Sequence, residues 1–300
     1  MSELKKVKVK TDAPVRLDRY IRRCFPSITQ GIIEKALRKG QIKLNGLKSK
    51  AKDRVADNDE ITFASGVITE DSIGSSKSFS KSTVLLAKKL LSEYLIYSSP
   101  EFIAIDKPSG LAVQGGSKIN LSIDEALSYL NQTEDQEYKI VHRLDKETSG
   151  ILLIANGYTN AAKLGEAFKE HSIQKIYIAI ASGVPNSPEG NLVHYIGKDR
   201  SGIFENVKEL KEGGKKAETD YKVLRFEDGL SIIEFKPKTG RMHQLRFHSK
   251  FLGCSIVGDE KYGGKKNFRM LLHAKELIIA SVVFGKKIKI KSDLPIEFDF

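Results

Sequence analysis

Residues 141–150, VHRLDKETSG, form a charged stretch that continues directly into the apolar run ILLIA at residues 151–155. The apolar run predicts a strand in the core of a sheet. The charged stretch predicts a loop that projects Arg143 and Asp145 from the end of this rigid strand, a position suited to reacting groups. From the residues alone, an exposed turn with a structural aspartate is an equally good interpretation.

Two further polar clusters lie downstream of this loop. Residues 238–246 have the sequence KTGRMHQLR, whose Thr-Gly pair predicts a turn into a helix with arginine and amide donors in its first turn. Such donors suit phosphate or carboxylate recognition, although a solvated basic helix end has the same pattern. In the sequence KIY at residues 175–177, Lys175 and Tyr177 share one face of a predicted strand, where a buried structural tyrosine is the simpler interpretation.

The surrounding chain predicts an α+β fold in which strands dominate. No regular alternation of strands and helices occurs, which favours a mixed, mainly antiparallel sheet with flanking helices over a doubly wound sheet. The predicted strands are 102–106, 150–155, 175–182, 219–225, 230–235 and 286–291. The predicted helices of this part are 124–130, 159–171 and 242–252.

Residues 14–63 predict a small, separate α/β unit with a strongly positive surface. Two short amphipathic helices precede strands joined at Asn45-Gly46, a pair typical of tight hairpins. Residues 1–63 contain 16 Lys and Arg against 8 Asp and Glu, a net charge of +8 out of +12 for the chain. This asymmetry favours a nucleic-acid-binding module over a merely solvated surface. The Ser-rich residues 64–82 predict a linker, and residues 83–300 predict a larger domain.

Composition and motifs exclude several functional classes. The chain has 300 residues, and no apolar run approaches the roughly 20 residues that a membrane-spanning helix needs. We expect a reducing, cytoplasmic location, because no secretory signal or transit peptide is predicted and two cysteines are too few for a disulfide framework. No P-loop, dinucleotide-binding glycine pattern or nucleophile-elbow motif occurs, and the six histidines lack the spacing of a metal site.

Taken together and in order, these motifs resemble those of the RluA family of RNA pseudouridine synthases. HRLDKETSG and TGRMHQLR are similar to the family signatures H-R-L-D-x-x-T-S-G and T-G-R-x-H-Q-[IL]-R. Further matching segments, over about residues 95–300, are DKPSG at 106–110, KIY at 175–177, GDEKYG at 258–263 and LHA at 272–274. GGS at 115–117 is similar to one large-ribosomal-subunit branch, although Gln114 stands where a histidine is expected. Residues 14–63 resemble an S4 RNA-binding domain.

The resemblance implies a uridine isomerase that needs neither a metal nor an organic cofactor. Pseudouridine formation breaks the N1–C1′ bond of a uridine and rejoins the uracil through C5. The resemblance assigns the attacking or charge-stabilising carboxylate to Asp145, its ion-pair partner to Arg241 and the platform under the uracil to Tyr177. Because the target base must leave its stack, Arg143 is expected to fill the gap.

The expected substrate is 23S ribosomal RNA, free or within an assembling large subunit, bound by a monomer. The alternatives are transfer RNA or another ribosomal site, a non-catalytic RNA-binding assembly factor, and a two-carboxylate glycosidase, for which only Glu147 offers a second group. The expected RNA contacts are polar side chains of the motifs and of the N-terminal unit: His142, Arg143, Lys175, His243, Gln244, Arg246, Arg22, Arg23, Arg38, Lys39 and Lys43.

Overall fold

The computed structural model of the chain describes residues 4–25, 28–68, 78–116, 119–134, 136–199 and 206–299. Within them the chain forms an N-terminal unit with its own core and a larger unit built on one wide sheet. Of the predicted linker, residues 69–77 lie outside the described ranges, and the first helix of the larger unit begins at Lys81. No helix in the described ranges is both long and apolar enough to cross a bilayer.

The N-terminal unit is a small antiparallel sheet packed on two helices. In chain order it contains β1 (Lys5–Lys8), β2 (Val15–Arg16), α1 (Leu17–Cys24), α2 (Gln30–Arg38), β3 (Ile42–Leu44), β4 (Leu47–Lys48), β5 (Arg54–Val55) and β6 (Glu60–Phe63). β1, β6, β3 and β4 pair antiparallel in that order, and β2 pairs with β5. The hairpin predicted at Asn45-Gly46 joins β3 to β4, and both residues have the positive φ that this tight turn requires.

The larger unit contains helices and strands without a regular alternation between them. It contains α3 (Lys81–Ser92), β7 (Leu95–Ser98), β8 (Phe102–Lys107), α4 (Ile123–Thr133), β9 (Tyr138–Ile140), β10 (Ser149–Asn156), α5 (Gly157–Lys169), β11 (Ile173–Ser182), β12 (Glu189–Asp199), β13 (Asn206–Glu209), β14 (Lys215–Glu227), β15 (Leu230–Pro237), α6 (Gln244–Phe251), β16 (Leu272–Ile279), α7 (Ser281–Phe284) and β17 (Ile288–Lys291). Two 3-10 turns, Glu260–Tyr262 and Ile296–Phe298, complete it.

One mixed sheet connects the strands of this unit. Its order is β13-β12-β14-β15-β11-β16-β10-β8-β7, with β17 paired to β16 and β9 paired to β10. β10 and β16 run parallel, and the other strand pairs described in this sheet are antiparallel. The predicted α+β class, with a mixed, mainly antiparallel sheet and flanking helices, is therefore confirmed.

β10 is the buried strand that its apolar sequence predicts. Its alternating side chains divide between the two faces of the sheet: Leu152 and Ile154 pack with residues of α3 and α4, whereas Ile151 and Leu153 pack with residues of α5. Burial of each such side chain contributes about 1.5–3 kcal/mol. The strand therefore gives the charged loop before it a fixed exit point from the core.

The structure contains strands that the sequence does not predict, and the longest of them are β12 and β16. β12 and β16 are not predicted from the sequence; in β12, the exposed side chains of Val193 and Tyr195 alternate with buried ones and hide the period-two pattern. The helix predicted at 242–252 begins two residues later, at Gln244, because His243 has a left-handed backbone with φ of 51°.

Candidate active site

Motif residues from four neighbouring strands lie in one row across the wide sheet. Tyr177 in β11 pairs with Ala274 in β16, which pairs in parallel with Gly150 in β10, and Gly150 pairs with Lys107 in β8. The loop that carries Asp145 enters β10 just before this row. Four motifs that are far apart in the sequence are therefore brought together around that loop.

Gly150 permits the close approach of β10 and β16. Its φ is 105°, and a Cβ added there would lie 2.4 Å from the carbonyl oxygen of Ala274. Any other side chain at this position would push the two strands apart, and the charged loop would move with β10. The glycine that ends the VHRLDKETSG stretch is therefore needed for the placement of the loop.

Lys107 holds the middle of the charged loop. Its side chain is fully buried, and Nζ donates hydrogen bonds to the carbonyl oxygens of Pro108 at 2.9 Å, Leu111 at 2.8 Å and Lys146 at 2.9 Å. Three acceptors match the three protons of an ammonium group. Burial lowers the pKa of Lys107 to about 7, against the opposing effect of the nearby carboxylates. Lys107 thereby fixes the carbonyl of the residue that follows Asp145.

A buried polar network holds the end of the same loop. Ser149 Oγ lies 2.9 Å from His273 Nδ1, and His273 Nε2 lies 3.0 Å from Ser292 Oγ. Arg269 Nη2 donates to Ser149 Oγ at 2.5 Å. Burial, together with the charge of Arg269, lowers the pKa of His273 to about 4, so its ring is neutral at neutral pH. The segment around Asp145 is thus anchored at two points.

The carboxylate of Asp145 faces Arg246. Arg246 Nη1 lies 3.7 Å from Asp145 Oδ2, while its Nε and Nη2 form a bidentate pair with Asp259 at 2.7 and 2.6 Å. Arg246 and Asp259 are both buried, and their mutual hydrogen bonds satisfy charges that would otherwise be costly in the interior. Arg246 is therefore an internal partner of two carboxylates, which corrects the expectation that it contacts RNA.

The predicted pairing of Arg241 with Asp145 is wrong. Arg241 lies in the turn before α6, is exposed, and donates from Nε to the carbonyl oxygen of Lys216 at 2.9 Å. The left-handed backbone of His243 redirects the chain between Arg241 and α6, so only Arg246 lies on the helix that faces Asp145. The guanidinium that faces Asp145 therefore belongs to Arg246, five residues after the predicted Arg241.

A cavity of about 550 Å³ opens beside the turn that carries Arg241. Val207 and Leu210 contribute apolar wall, and Lys215 and Arg241 contribute positive charge. The volume is in the range of small-ligand pockets. Apolar surface beside positive charge suits a nucleotide, whose base stacks or packs while its phosphate is neutralised.

Tyr177 lies beside Asp145 and is partly buried. Its ring packs against the core clusters on either side of the row. Burial, together with the negative charge of Asp145, raises the pKa of Tyr177 well above its ordinary value. The phenol therefore keeps its proton at neutral pH and offers a flat apolar face and one hydrogen-bond donor.

Gln244 and Lys175, both expected to contact RNA, make hydrogen bonds that stabilise the turn before α6. The Gln244 amide is buried; it donates to Thr219 Oγ1 at 2.9 Å and accepts from the backbone N–H of Arg241 at 3.0 Å. Lys175 Nζ donates to the carbonyl oxygen of Thr239 at 3.3 Å, and burial, with the charge of Arg241, lowers the pKa of Lys175 to about 8. The buried Gln244 is thereby corrected to a structural role, whereas Lys175 is half-buried and its expected RNA contact stays a prediction.

His142 is likewise directed into the protein. Its Nε2 accepts a hydrogen bond from the backbone N–H of Leu153 at 2.8 Å, and its ring centroid lies 4.6 Å from that of Phe168. Burial lowers the pKa of His142 to about 3, in keeping with an unprotonated acceptor nitrogen. The expected RNA contact at His142 is corrected to a structural role.

We expect His142→Phe to lower the free energy of unfolding by about 1–3 kcal/mol without changing RNA affinity, because the Leu153 N–H loses its acceptor. Chemical denaturation and RNA titration measure the two quantities. Arg143→Gln, at the next position but exposed, is the matched control and is expected to weaken RNA binding at unchanged stability. Weaker RNA binding by His142→Phe with no loss of stability would contradict this assignment.

Arg23 joins the two units of the molecule. Its Nη1 pairs with Glu137 at 2.7 Å, and its guanidinium lies 5.2 Å from the ring centroid of Tyr158. Beside it, Asp12 Oδ2 accepts from the backbone N–H of Thr159 at 3.2 Å. These contacts hold the N-terminal unit against the start of α5, and the expected RNA contact of Arg23 stays a prediction.

The remaining expected RNA contacts include five exposed cations, namely Arg143, Arg22, Arg38, Lys39 and Lys43. Arg143 is two residues from Asp145, and the other four lie on the N-terminal unit. His243 is different: it is half-buried, and its Nε2 lies 4.0 Å from Asp145 Oδ2. The structure therefore places His243 at the carboxylate.

Several residues of the site have no role assigned from the sequence, among them Lys107, Asp259 and Tyr262. These three lie in the DKPSG and GDEKYG segments, so membership of a motif is the signal that could have found them. Their partners could not be inferred, since each acts through a contact distant in sequence. Among the described residues, no three His, Cys, Asp or Glu side chains are grouped so that they could hold a metal ion.

Comparison with known proteins gives consistent matches. A family model described as RNA pseudouridylate synthase matches residues 101–250. The chain is 46% identical over 289 residues to the ribosomal large subunit pseudouridine synthase C of Rickettsia bellii (strain RML369-C), covering 95% of this chain and 96% of that protein. It is 29% identical over 263 residues to the protein of the same name from Escherichia coli (strain K12), covering 88% and 81%.

A solved structure shares the fold. Human RNA pseudouridylate synthase domain containing 4 superposes with a TM-score of 0.60 at 27% sequence identity, and the match covers 72% of this chain and 94% of that one. This match is in accord with the mixed sheet described above.

Proposed function

Because this chain belongs to the RNA pseudouridylate synthase family, we propose that it converts specific uridines of 23S ribosomal RNA to pseudouridine, with Asp145 as the catalytic carboxylate. The enzyme class follows from the family. The observation that carries the assignment of Asp145 is its position: it precedes a buried strand, faces the Arg246 guanidinium at 3.7 Å and neighbours the phenol of Tyr177.

The proposed reaction is an isomerisation in which the N1–C1′ bond breaks, a C5–C1′ bond forms, the C5 proton is lost and N1 gains a proton. Asp145 acts on the ribose C1′ or on the uracil ring while the bond is broken. Arg246 Nη1, 3.7 Å from Oδ2, orients the carboxylate. Tyr177 supports the uracil face. No step requires a cofactor in this proposal.

The target uridine must leave its stack before Asp145 can reach it, which costs a few kcal/mol. Arg143 is exposed two residues before Asp145, so its planar guanidinium can occupy the space that the base leaves. The cavity lined by Arg241 and Lys215 opens at the turn before α6. We assign this cavity to the RNA strand next to the target, which gives Arg241 a role in binding.

The proposed substrate is large-subunit RNA, modified in the cytoplasm by a monomer. The named relatives are pseudouridine synthases of the large ribosomal subunit, which favours this substrate over transfer RNA. The test is to incubate the full chain with 23S, 16S and transfer RNA and to map pseudouridine by sequencing. Modification of discrete 23S sites supports the proposal. Modification confined to transfer RNA or 16S RNA would overturn the substrate, and none on any RNA would favour a non-catalytic assembly factor.

The N-terminal unit is proposed to bind the phosphates of the RNA backbone, as the resemblance to an S4 domain implies. Its cations Arg22, Arg38, Lys39 and Lys43 are exposed. Each phosphate contact adds about 0.7–0.9 to the slope of log K against log salt concentration. Replacing all four by glutamine is therefore expected to reduce the slope by about 3, as measured by RNA titration between low and moderate salt.

The control for this variant removes positive charge elsewhere. Lys286→Gln combined with Lys287→Gln, in the turn between α7 and β17, changes two exposed lysines of the larger unit. The slope is expected to stay within one unit of that of the unaltered chain. Equal slopes for the unaltered chain and the fourfold variant would show that the N-terminal unit does not contact phosphates.

A further inference from the structure

We infer that the hydroxyl of Tyr262 fixes the tautomer of His243, so that the ring directs Nε2–H at Asp145 and positions the carboxylate for reaction. The inference rests on the proposed role of Asp145 and adds two positioning residues to it. The sequence motifs do not predict that His243 and Tyr262 position the carboxylate. From the sequence, His243 is expected to contact RNA and Tyr262 has no assigned role.

A chain of hydrogen bonds leads from β13 to the carboxylate. The backbone N–H of Val207 donates to the Tyr262 oxygen at 2.9 Å, and that oxygen lies 3.1 Å from His243 Nδ1. On the opposite side of the ring, His243 Nε2 lies 4.0 Å from Asp145 Oδ2. Tyr262 is itself buried and stacked under the Arg246 guanidinium, 5.0 Å from ring centroid to Cζ.

The direction of these bonds follows from what each group can donate. A backbone N–H only donates, so the Tyr262 oxygen is the acceptor for Val207 and its own proton is available to His243 Nδ1. A neutral imidazole that accepts at Nδ1 carries its proton on Nε2. The opposite tautomer would leave the phenolic proton without this acceptor and would turn a lone pair toward the carboxylate of Asp145.

Burial and the nearby positive charges favour the neutral form of the His243 ring. Only this form has two tautomers, because the protonated ring carries a proton on both nitrogens. Burial lowers the pKa of His243, and the neighbouring Arg246 and Lys261 lower it further, while Asp145 and Asp259 oppose them. The ring is held in a residue with φ of 51°, a left-handed conformation that a histidine keeps only when its surroundings impose it. The bond to Tyr262 is one such restraint.

The consequence concerns the two oxygens of Asp145. Arg246 Nη1 and His243 Nε2 make their closest approaches to the same oxygen, Oδ2. Because both groups lie nearest Oδ2, at ion-pair distance, we expect Oδ1 to be the oxygen presented to substrate. At 4.0 Å the His243 contact is longer than a hydrogen bond, and we expect it to shorten when substrate binds, because catalytic hydrogen bonds are often long in free enzymes.

The first test reads the tautomer directly. Ring ¹⁵N chemical shifts of His243 are measured by NMR in the full-length chain and in Tyr262→Phe. We expect a single Nε2–H tautomer in the unaltered chain and a mixture, or loss of that preference, in the variant. An Nδ1–H tautomer in the unaltered chain would overturn the inference. This readout needs no turnover, so it is independent of the proposed function.

The second test uses two amides of different length at position 243. In His243→Gln the side-chain NH₂ reaches the place of Nε2, whereas in His243→Asn it stops near Nδ1, although asparagine suits the left-handed backbone better. If the donor to Asp145 matters, the Asn variant should lose about 10- to 100-fold in single-turnover rate relative to the Gln variant, with similar RNA affinity.

The preference of asparagine for the left-handed backbone would make the Asn variant the faster of the two. The position of the side-chain donor would make the Gln variant the faster. Equal rates for the two variants, or a faster Asn variant, would overturn the positioning role. If the unaltered chain shows the Nε2–H tautomer but forms no pseudouridine on any RNA, the proposed function fails while the hydrogen-bond chain stands. If it forms pseudouridine with the other tautomer, the inference fails and the function stands.

Discussion

Asp145→Asn is expected to lower the rate of pseudouridine formation by at least about 10⁴-fold while leaving RNA affinity within a few-fold of the unaltered chain. Asparagine has nearly the same shape, and the backbone carbonyl that accepts from Thr148 N at 3.1 Å is unaffected. The amide cannot act as a nucleophile or carry negative charge toward the developing positive charge at C1′. Single-turnover kinetics on a labelled RNA, with a parallel binding titration, measure both quantities.

Glu147→Gln is the matched control for this variant. Glu147 is an exposed carboxylate two residues farther along the same loop, and its backbone oxygen accepts from Ser109 Oγ at 2.6 Å. The substitution keeps that bond and is expected to change the rate by less than about threefold. A rate loss in Glu147→Gln comparable with that in Asp145→Asn would point to a pair of carboxylates, as in a glycosidase.

Arg246→Lys is expected to have the next largest effect, a rate loss of about 100-fold together with lower stability. Its guanidinium serves Asp259 with two nitrogens and approaches Asp145 with the third, which one ammonium group cannot reproduce. Weakening a buried ion pair on one side costs up to about 3–5 kcal/mol. Thermal unfolding and single-turnover kinetics separate the two losses when rates are measured well below the melting temperature.

Two variants distinguish the catalytic effect from the structural one. Asp259→Asn weakens the same buried pair but leaves Arg246 beside Asp145, so it should lower stability more than rate. Arg241→Gln removes the arginine that the sequence favours and should raise KM with little change in kcat. An equal loss of kcat in Arg241→Gln and Arg246→Lys would favour Arg241 as the partner of Asp145, as the sequence predicts. It would contradict the pairing of Arg246 with Asp145 in the structure.

Local patterns in the sequence predict the parts of the fold that depend on neighbouring residues. The run at residues 151–155 gives a buried strand because its side chains are apolar on both faces, and the Asn45-Gly46 pair gives its hairpin because both residues tolerate positive φ. The loop that carries Asp145 follows from the first of these. Its location at the end of β10 is therefore accessible from sequence alone.

The partner of Asp145 is not accessible in the same way. Arg241 and Arg246 lie in one motif, and which of them faces the carboxylate depends on where α6 begins. The left-handed backbone of His243 delays that start to Gln244 and leaves Arg241 in the turn. A histidine adopts positive φ too rarely for the sequence to predict it.

Buried polar residues account for the other corrections. Lysine, glutamine and histidine are usually at the surface, so in a basic chain their positions favour RNA contact. Gln244 and His142 are instead satisfied by hydroxyl, carbonyl and backbone N–H groups of other segments. Such partners come together only when the sheet is assembled, and the same holds for the contact of Lys107 with the carbonyl of Lys146.

The most direct test of the account is the pseudouridine content of 23S ribosomal RNA, measured by nucleoside mass spectrometry after incubation with the unaltered chain or with Asp145→Asn. The RNA should come from cells that lack the activity. We expect the unaltered chain to add a small whole number of pseudouridines per RNA molecule and Asp145→Asn to add none. Equal pseudouridine content after both incubations would contradict the assignment of the reaction to Asp145.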